Sequence, residues 1–309
     1  MKDPLRHASL KQLKIFAIAV EQQSFARAAE ILHLSQPAVS MQMSRLAEGV
    51  GLELFEKSGR NQRVTRAGEI LYPYVKQVTQ TLREAGEELD ALKGARHGKI
   101  KVAMVTTSRY FAPKLVARFC ELNPDIEIDF TIANRQTVIE KLENNQIDLA
   151  IMGRPPSRLG VVAEAFAEHP YVIIAAPDYP LVGKRRFSAQ KLAGETFLAR
   201  EAGSGTRMLM EHFFAENGIE VPVLQEVPSN ESIKQAVMAG MGLALISKHT
   251  IGLEYQTGNI AILNVRDMPI LRTWYVLHLE GKSVNPIISA FKAFMLEQAP
   301  GFISDLFGK

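Results

Sequence analysis

The sequence predicts a multidomain α plus α/β protein: a small winged helix-turn-helix unit, a long linking helix and a two-lobed α/β unit, in that order. Three observations carry this. Two short helical patterns, each opened by a serine N-cap, lie between Ser24 and Leu46 with a break at His33-Leu34. Apolar residues then recur at heptad spacing from Leu71 to Leu92. Beyond Gly98, strand patterns alternate with helical ones.

Taken in order, Ser9 caps a first helix with Leu10, Leu13, Ile15, Phe16 and Val20 on its inner side, ended by Gln22-Gln23. Ser24 opens a second helix, whose Ala28 and Ala29 permit close crossing. Ser35 opens a third, with Pro37 in its first turn, where a missing N–H costs little. Val39, Met43 and Leu46 share one face, so Pro37, Ser40, Met41 and Ser44 point outward with Arg45 on the flank. A helix-turn-helix offers the N-terminal half of its second helix to the DNA major groove. The same pattern also fits an ordinary helical hairpin. Gly49 and Gly51 should stop the helix, and Leu52, Leu54 and Phe55 alternate as a short strand. From Lys57 to Arg66 there are four cations, no acids and central turn residues, as in a wing lying on phosphates or in the minor groove. Residues 1–66 hold ten Lys/Arg and six Asp/Glu (+4), while the remainder holds 26 and 27 (−1), so the basic excess sits on this unit.

Thr65 starts a helical pattern running to Lys93, with Leu71, Val75, Val78, Leu82, Ala85, Leu89 and Leu92 on one seam. A seam of this spacing asks for a partner helix, so the rod is expected to dimerise, with a kink at Pro73. A short hinge follows, Gly94-Ala95-Arg96-His97-Gly98. Strands are then expected at 99–105, 126–132, 147–152, 161–166, 171–176, 197–199, 223–227, 242–247, 260–263 and 273–279. Helices are expected at 110–122, 134–144, 206–217, 231–239, 248–256 and 286–298. Alternation of this kind implies mostly parallel sheets in two lobes with a cleft between them. The expected domains are 8–65 (helix-turn-helix about 25–44), 66–93 and 94–309, the last divided into lobe I at about 99–175 with 273–309 and lobe II at about 176–272.

Other classes find little support. Cys120 is the only cysteine, which leaves no disulfide framework or thiolate cluster and suits a reducing cytoplasm. The N-terminus has no apolar signal core, and no run nears the roughly 20 residues of a membrane span. Glu164, Glu168, His169, Ser204 and Ser229 show no catalytic spacing, and the histidines show no metal-ligand spacing, so neither an enzyme nor a metal site is expected. A two-lobed solute-binding protein is the alternative class, disfavoured by the N-terminal unit.

The stretches LKQLKIFAIAVEQQSFARAAEILHLSQPAVSMQMSRLAEGVGLELFEK and VTRAGEILYP, with the rod and two lobes behind them, resemble a LysR-type transcriptional regulator. IANRQTVIEKLENNQIDLAIMGRPP, AREAGSGTRMLMEHFF and SNESIKQAVMAGMGLALIS resemble in particular the activators of Calvin-cycle (RuBisCO) operons; another metabolic operon is the alternative target. The resemblance implies an effector-binding domain of the periplasmic-binding-protein kind and a homotetramer, a dimer of dimers, on a pseudo-palindromic promoter. It further implies that a cleft metabolite changes the DNA bend and contact with RNA polymerase. Gln36, Pro37 and Ser40 match the family's base-reading positions, Arg27 and Arg45 its backbone contacts, and Arg60 or Arg63 its wing contacts. Arg66 departs from the usual neutral or acidic residue and is expected to add a phosphate contact.

Several cleft segments open helices, where free N–H groups favour anions. They are Thr106-Thr107-Ser108-Arg109, Asn134-Arg135, Gly153-Arg154, Arg200 with Gly203-Ser204-Gly205-Thr206-Arg207, and Asn230-Glu231. Their arginines suit a phosphorylated or carboxylated effector. Ribulose bisphosphate, phosphoenolpyruvate and NADPH all fit the resemblance, and no bound cofactor is expected.

Overall fold

The structure is a computed structural model that describes residues 5–58, 61–92, 98–220 and 224–307; at 57, 58, 61, 84, 87, 88, 90–92 and 224 it describes the backbone alone. The expected hinge at 94–97, Arg60 and the start of the strand expected at Val223 lie outside the described residues. The chain forms two compact units, Met1–Gly94 and Ala95–Lys309.

In the first unit, α1 (Leu10–Gln22) is held by a capping box. Ser9 Oγ accepts from the Gln12 N–H at 3.2 Å, and Gln12 Oε1 accepts from the Ser9 N–H at 2.9 Å. Ser24 caps α2 (Phe25–Leu32) and Ser35 caps α3 (Gln36–Val50), with His33 in the left-handed region carrying the turn between them. Ala28, Val39, Met43 and Leu46 are buried together with Ile15 and Phe16. Gly49 lies inside α3; Gly51, at φ 78°, ends it. The strand expected from Leu52 begins later. Leu52 is exposed and Leu54 is buried in the core, and β1 (Phe55–Ser58) pairs antiparallel with β2 (Asn61–Val64) to make the wing. Leu54 goes to the core and Phe55 packs beside it, against Phe16 and Phe25, so the alternation is not a strand's.

α4 (Arg66–Leu92) starts where Thr65 Oγ1 accepts from the Gly68 N–H at 3.2 Å and donates to the Glu53 carbonyl at 2.6 Å. A Cβ on Gly68 would sit 2.4 Å from Val64 Cγ2 and 2.5 Å from the Leu54 carbonyl oxygen, so glycine lets the helix lie on the wing's base. The seam divides in two. Leu71 and Val75, expected to face a partner, are 9% and 2% exposed and buried in the core of their own unit. Val78, Leu82 and Leu89 are 43–59% exposed and remain open; the Leu92 side chain lies outside the described residues. Tyr72 donates to Glu21 at 2.8 Å, tying α4 to α1.

The second unit begins with β3 (Gly98–Val105), a 3-10 turn at Thr106–Tyr110, α5 (Ala112–Leu122), β4 (Ile126–Ala133), α6 (Arg135–Glu143) and β5 (Leu149–Met152). Then come β6 (Val161–Ala175), β7 (Phe197–Arg200), α7 (Gly205–Glu216), β8 (Leu224–Val227), α8 (Asn230–Met238) and β9 (Ala244–Ser247). A 3-10 turn at Lys248–Thr250, α9 (Gly252–Gln256), β10 (Ala261–Ile262), β11 (Ile270–Leu279) and α10 (Pro286–Phe307) complete it.

The main sheet runs β10-β6-β11-β5-β3-β4, with β9 also on β6. It is not mostly parallel as expected. Only β3 pairs parallel, with β4 and β5; β6, β11, β9, β10 and β5 join antiparallel. The cause is β6, expected as two strands at 161–166 and 171–176 but formed as one of 15 residues, with Pro170 opposite Leu271 on β11. Phe166 on β6 belongs to one core, and Tyr171 and Ile173 to another. β6 and β11 therefore run side by side from one lobe into the other. The expected helix at 248–256 is split by Ile251, and α10 continues past Pro300 because Ala299 and Ile303 are buried in the first lobe's core.

Gly68→Ala is expected to destabilise the N-terminal unit by about 1–3 kcal/mol, the range for overpacking a tight contact. Urea unfolding of the full chain should show an earlier transition for that unit; an unchanged midpoint would mean that α4 can move off the wing.

Candidate functional site

The helix-turn-helix sets out its polar groups as the helix period requires. With Val39, Met43 and Leu46 buried, Gln36, Pro37, Ser40 and Arg45 are exposed on α3, and Arg27 is exposed on α2. Arg63 is exposed on β2. Arg66 is also exposed, but its guanidinium pairs with Glu69 at 3.1 Å. An Arg on this surface offers charge to phosphates, and Gln36 offers the paired donor and acceptor that match an adenine edge.

In the second unit a cavity of about 260 Å³ opens between the lobes. Of the expected cleft residues it is lined by Thr106, Thr107, Arg135, Gly153, Arg154, Ser204, Gly205 and Thr206. Three arginines (Arg135, Arg154 and Arg272) and two histidines line it, and among the described residues no Asp or Glu does. Arg135 donates to the Arg154 carbonyl at 3.2 Å, and its pKa is lowered by burial and then by the charge of Arg154. Two guanidiniums crowded without a carboxylate leave uncompensated positive charge. The start of α7 adds to it. Ser204 makes no side-chain cap, so the first-turn amides behind Gly205 and Thr206 are not taken up by it. A Cβ on Gly205 would lie 3.3 Å from Arg135 Cδ, so glycine lets this helix end approach the arginine.

Eight expected residues, Arg109 and Arg207 among them, do not line the cavity, and most are held by other bonds; Arg207 pairs with Glu211 at 2.9 Å and Glu226 at 2.5 Å. Asn134 caps α6 through the Thr137 N–H at 2.9 Å. Ser108, fully buried, donates to the Val105 carbonyl at 2.7 Å. Arg200 is 1% exposed and bonds Glu201 at 2.7 and 2.9 Å, Thr106 Oγ1 at 3.3 Å and Asn230 Oδ1. Glu231 accepts from the Tyr110 hydroxyl at 2.5 Å and pairs with Lys234 at 2.9 Å. Gly203, at φ 82°, shapes the loop before α7 beside Gln136. Arg200, Asn230 and Glu231 thus brace one lobe against the 3-10 turn of the other.

Residues not expected at the site include His169, Tyr171 and Arg272, together with Leu209 and His212 on α7. His169 and Arg272 are register partners on β6 and β11. Neither residue carries a local signal, because only the pairing of β6 with β11 sets them opposite one another. His169 stacks on Trp274 with ring centroids 3.8 Å apart, and Trp274 Nε1 donates to His249 Nδ1 at 3.2 Å. Burial, and then the neighbouring His249, hold the His169 pKa well below its ordinary value; burial, and then Lys248, push His249 down to about 4.

Comparison with known proteins bears on both surfaces. Residues 10–69 match the family model for the bacterial regulatory helix-turn-helix protein of the lysR family, and residues 93–300 match the LysR substrate binding domain. The chain is 43% identical to the RuBisCO operon transcriptional regulator of Allochromatium vinosum, covering 95% of this chain and 97% of the relative. It is 42% identical to the HTH-type transcriptional regulator CfxR of Cupriavidus necator, covering 100% and 97%. The regulatory domain of CcmR from Synechocystis, solved in complex with 2-PG, superposes with a TM-score of 0.63 at 34% identity, over 66% of this chain and 100% of that one.

His249 gives a pH prediction. Its folded pKa lies below the ordinary 6.5, so the unfolded chain takes up the proton first on acidification. Its contribution is complete above about pH 6.5 and is lost as pH falls toward about 4. His249→Gln keeps an acceptor for Trp274 and should lessen the fall in stability between pH 7 and pH 4.5 by about 2–3 kcal/mol relative to the unsubstituted chain, measured by urea unfolding. Parallel losses in both proteins would contradict the assignment.

Proposed function

Since the chain belongs to the LysR family of transcriptional regulators, and is a DNA-binding regulator with an effector domain and not an enzyme, we propose that it controls a carbon-fixation (RuBisCO or Calvin-cycle) operon, as an activator, in response to an anionic metabolite held between its lobes. The observation that carries the effector class is the cavity lined by Arg135, Arg154 and Arg272, by the open end of α7 and, among the described residues, by no acid. A phosphate or carboxylate gains charge-assisted bonds there, whereas a neutral sugar leaves the guanidiniums uncompensated. The 2-PG in the CcmR complex belongs to the same chemical class as the expected ribulose bisphosphate, phosphoenolpyruvate and NADPH.

On DNA, Gln36, Pro37 and Ser40 face base edges, while Arg27, Arg45 and Arg63 meet phosphates, with Arg60 assigned to the same wing. Two copies join through the part of α4 that its own unit leaves open, Val78, Leu82 and Leu89, and two such dimers occupy a pseudo-palindromic promoter. The bound metabolite changes the bend of that DNA and so its presentation to RNA polymerase. A protein with this task works in the cytoplasm, on the nucleoid. Among the described residues no helix is long and apolar enough to cross a membrane. Residues 8–65, 66–93 and 94–309 are assigned to reading, joining and sensing.

Three outcomes test this reading. Gln36→Ala should lose promoter preference in competition gel shifts yet retain its affinity for random duplex and its salt slope; equal loss on both DNAs would contradict base reading. Arg135→Ala should weaken phosphoenolpyruvate and ribulose bisphosphate about tenfold or more by calorimetry, the loss of a charged hydrogen bond; unchanged affinity would remove Arg135 from the site. Val78→Glu with Leu82→Glu should shift the chain to a smaller species in light scattering; an unaltered dimer would exclude the α4 seam.

A further inference from the structure

One buried polar atom in the cavity wall lacks a partner. His169 is 1% exposed and lines the cavity, and its Nδ1 makes no hydrogen bond. Its Nε2 lies 3.0 Å from Ser247 Oγ, and Ser247 decides which of the two donates. That hydroxyl is fully buried and accepts from the His249 backbone N–H at 3.3 Å. Among the described residues, the acceptor in place for its proton is His169 Nε2. The opposite arrangement would strand two buried groups, the Ser247 proton and a lone pair on Nδ1, instead of one. Ser247 therefore gives its proton to Nε2. The imidazole, kept neutral by burial, carries its own on Nδ1.

The surroundings fix where that donor is offered. Stacking on Trp274, and Tyr171 packed beside it at a centroid distance of 4.5 Å, hold the ring plane. Gly153 also lines the cavity, and a Cβ there would stand 2.8 Å from Nδ1, so glycine keeps the nitrogen approachable. Arg154 follows Gly153 in the chain, and Arg272 is the cross-strand partner of His169. His169 thus lines the same cavity as Arg135, Arg154 and Arg272.

We propose that His169 is a specificity-determining residue of the effector cavity: its Nδ1–H donates to an oxygen of the bound metabolite distinct from the anionic group held by Arg135 and Arg154. The ligand class is accordingly an organic phosphate with a second acceptor oxygen, such as a carboxylate. This rests on the anion-binding reading of the same cavity. A ligand with that oxygen gives the His169 Nδ1–H a partner, and an anion without it does not.

The test uses the full chain labelled with 15N-histidine, with the His169 signals assigned by comparison with His169→Gln. The expected spectrum has the neutral Nδ1–H tautomer at His169 and a shift of that N–H on saturation with phosphoenolpyruvate. An Nε2–H tautomer overturns the proposal. So does an Nδ1–H signal that stays fixed while phosphoenolpyruvate is bound, although the anion reading then stands. By calorimetry, Gly153→Ala and His169→Phe should each weaken phosphoenolpyruvate about tenfold or more while changing inorganic phosphate less than about twofold. Equal losses for both probes overturn the assignment. An unsubstituted chain that binds no anion of the set phosphoenolpyruvate, ribulose bisphosphate and phosphate overturns the anion reading and the proposal with it. If His169→Phe does not fold, the spectrum of the unsubstituted chain still decides.

Discussion

The sensing unit depends on two long strands that it cannot break without separating its lobes. β6 and β11 pair antiparallel from Leu279 opposite Val161 to Ile270 opposite Tyr171, and each passes from one hydrophobic core into the other. Their backbone bonds make the crossing stiff, and the side chains at the crossing become the floor of the cleft. The cavity takes His169, Tyr171 and Arg272 from these strands, and its remaining walls come from the end of β3 with the turn after it, the start of α6, the residues after β5, and α7 with Ser204 before it. A register slip of one residue would turn His169 and Arg272 to the opposite face. The identity of the site is therefore tied to the pairing that joins the lobes.

Around that floor, polar groups divide into two sets. Arg200, Asn230, Glu231, Tyr110 and Thr106 are linked by hydrogen bonds across the lobes and form a brace. Arg135, Arg154, Arg272 and His169 stand in or at a cavity whose described lining holds no carboxylate. Both sets contain arginine. What separates them is whether an acid sits within reach: Glu201 claims Arg200, while Arg135 has only the carbonyl of another arginine. Cavity arginines without an acid partner leave positive charge, which is the feature on which the proposed anion site rests.

This division also explains how much was legible beforehand. The helix-turn-helix could be read in detail because its information is local: serine caps at 9, 24 and 35, a 3.6-residue period, and a glycine stop at 51. The seam on α4 was visible as a pattern, but a heptad does not say which partner each residue takes; Leu71 and Val75 go to α1's own core, and the exposed residues follow after them. In the sensing unit, 161–166 and 171–176 read as separate strands, and the place of Pro170 in the middle of one continuous β6 depends on pairing with a strand about a hundred residues away. The cavity residues at Thr106, Arg135 and Ser204 were legible because the end of a strand and the opening of a helix are local properties. His169 and Arg272 were missed because only the β6–β11 register brings them into the same wall.

The central claim is that a metabolite bound through the acid-free cavity alters the DNA held by the other unit. The most direct measurement is the bend of a promoter fragment in complex with the full chain, read by circular-permutation gel shift with and without each metabolite. The account predicts that phosphorylated or carboxylated metabolites change the bend at concentrations at which neutral sugars of the same size do not. A bend that responds equally to neutral sugars, or that stays fixed when an anionic metabolite is bound, would contradict it.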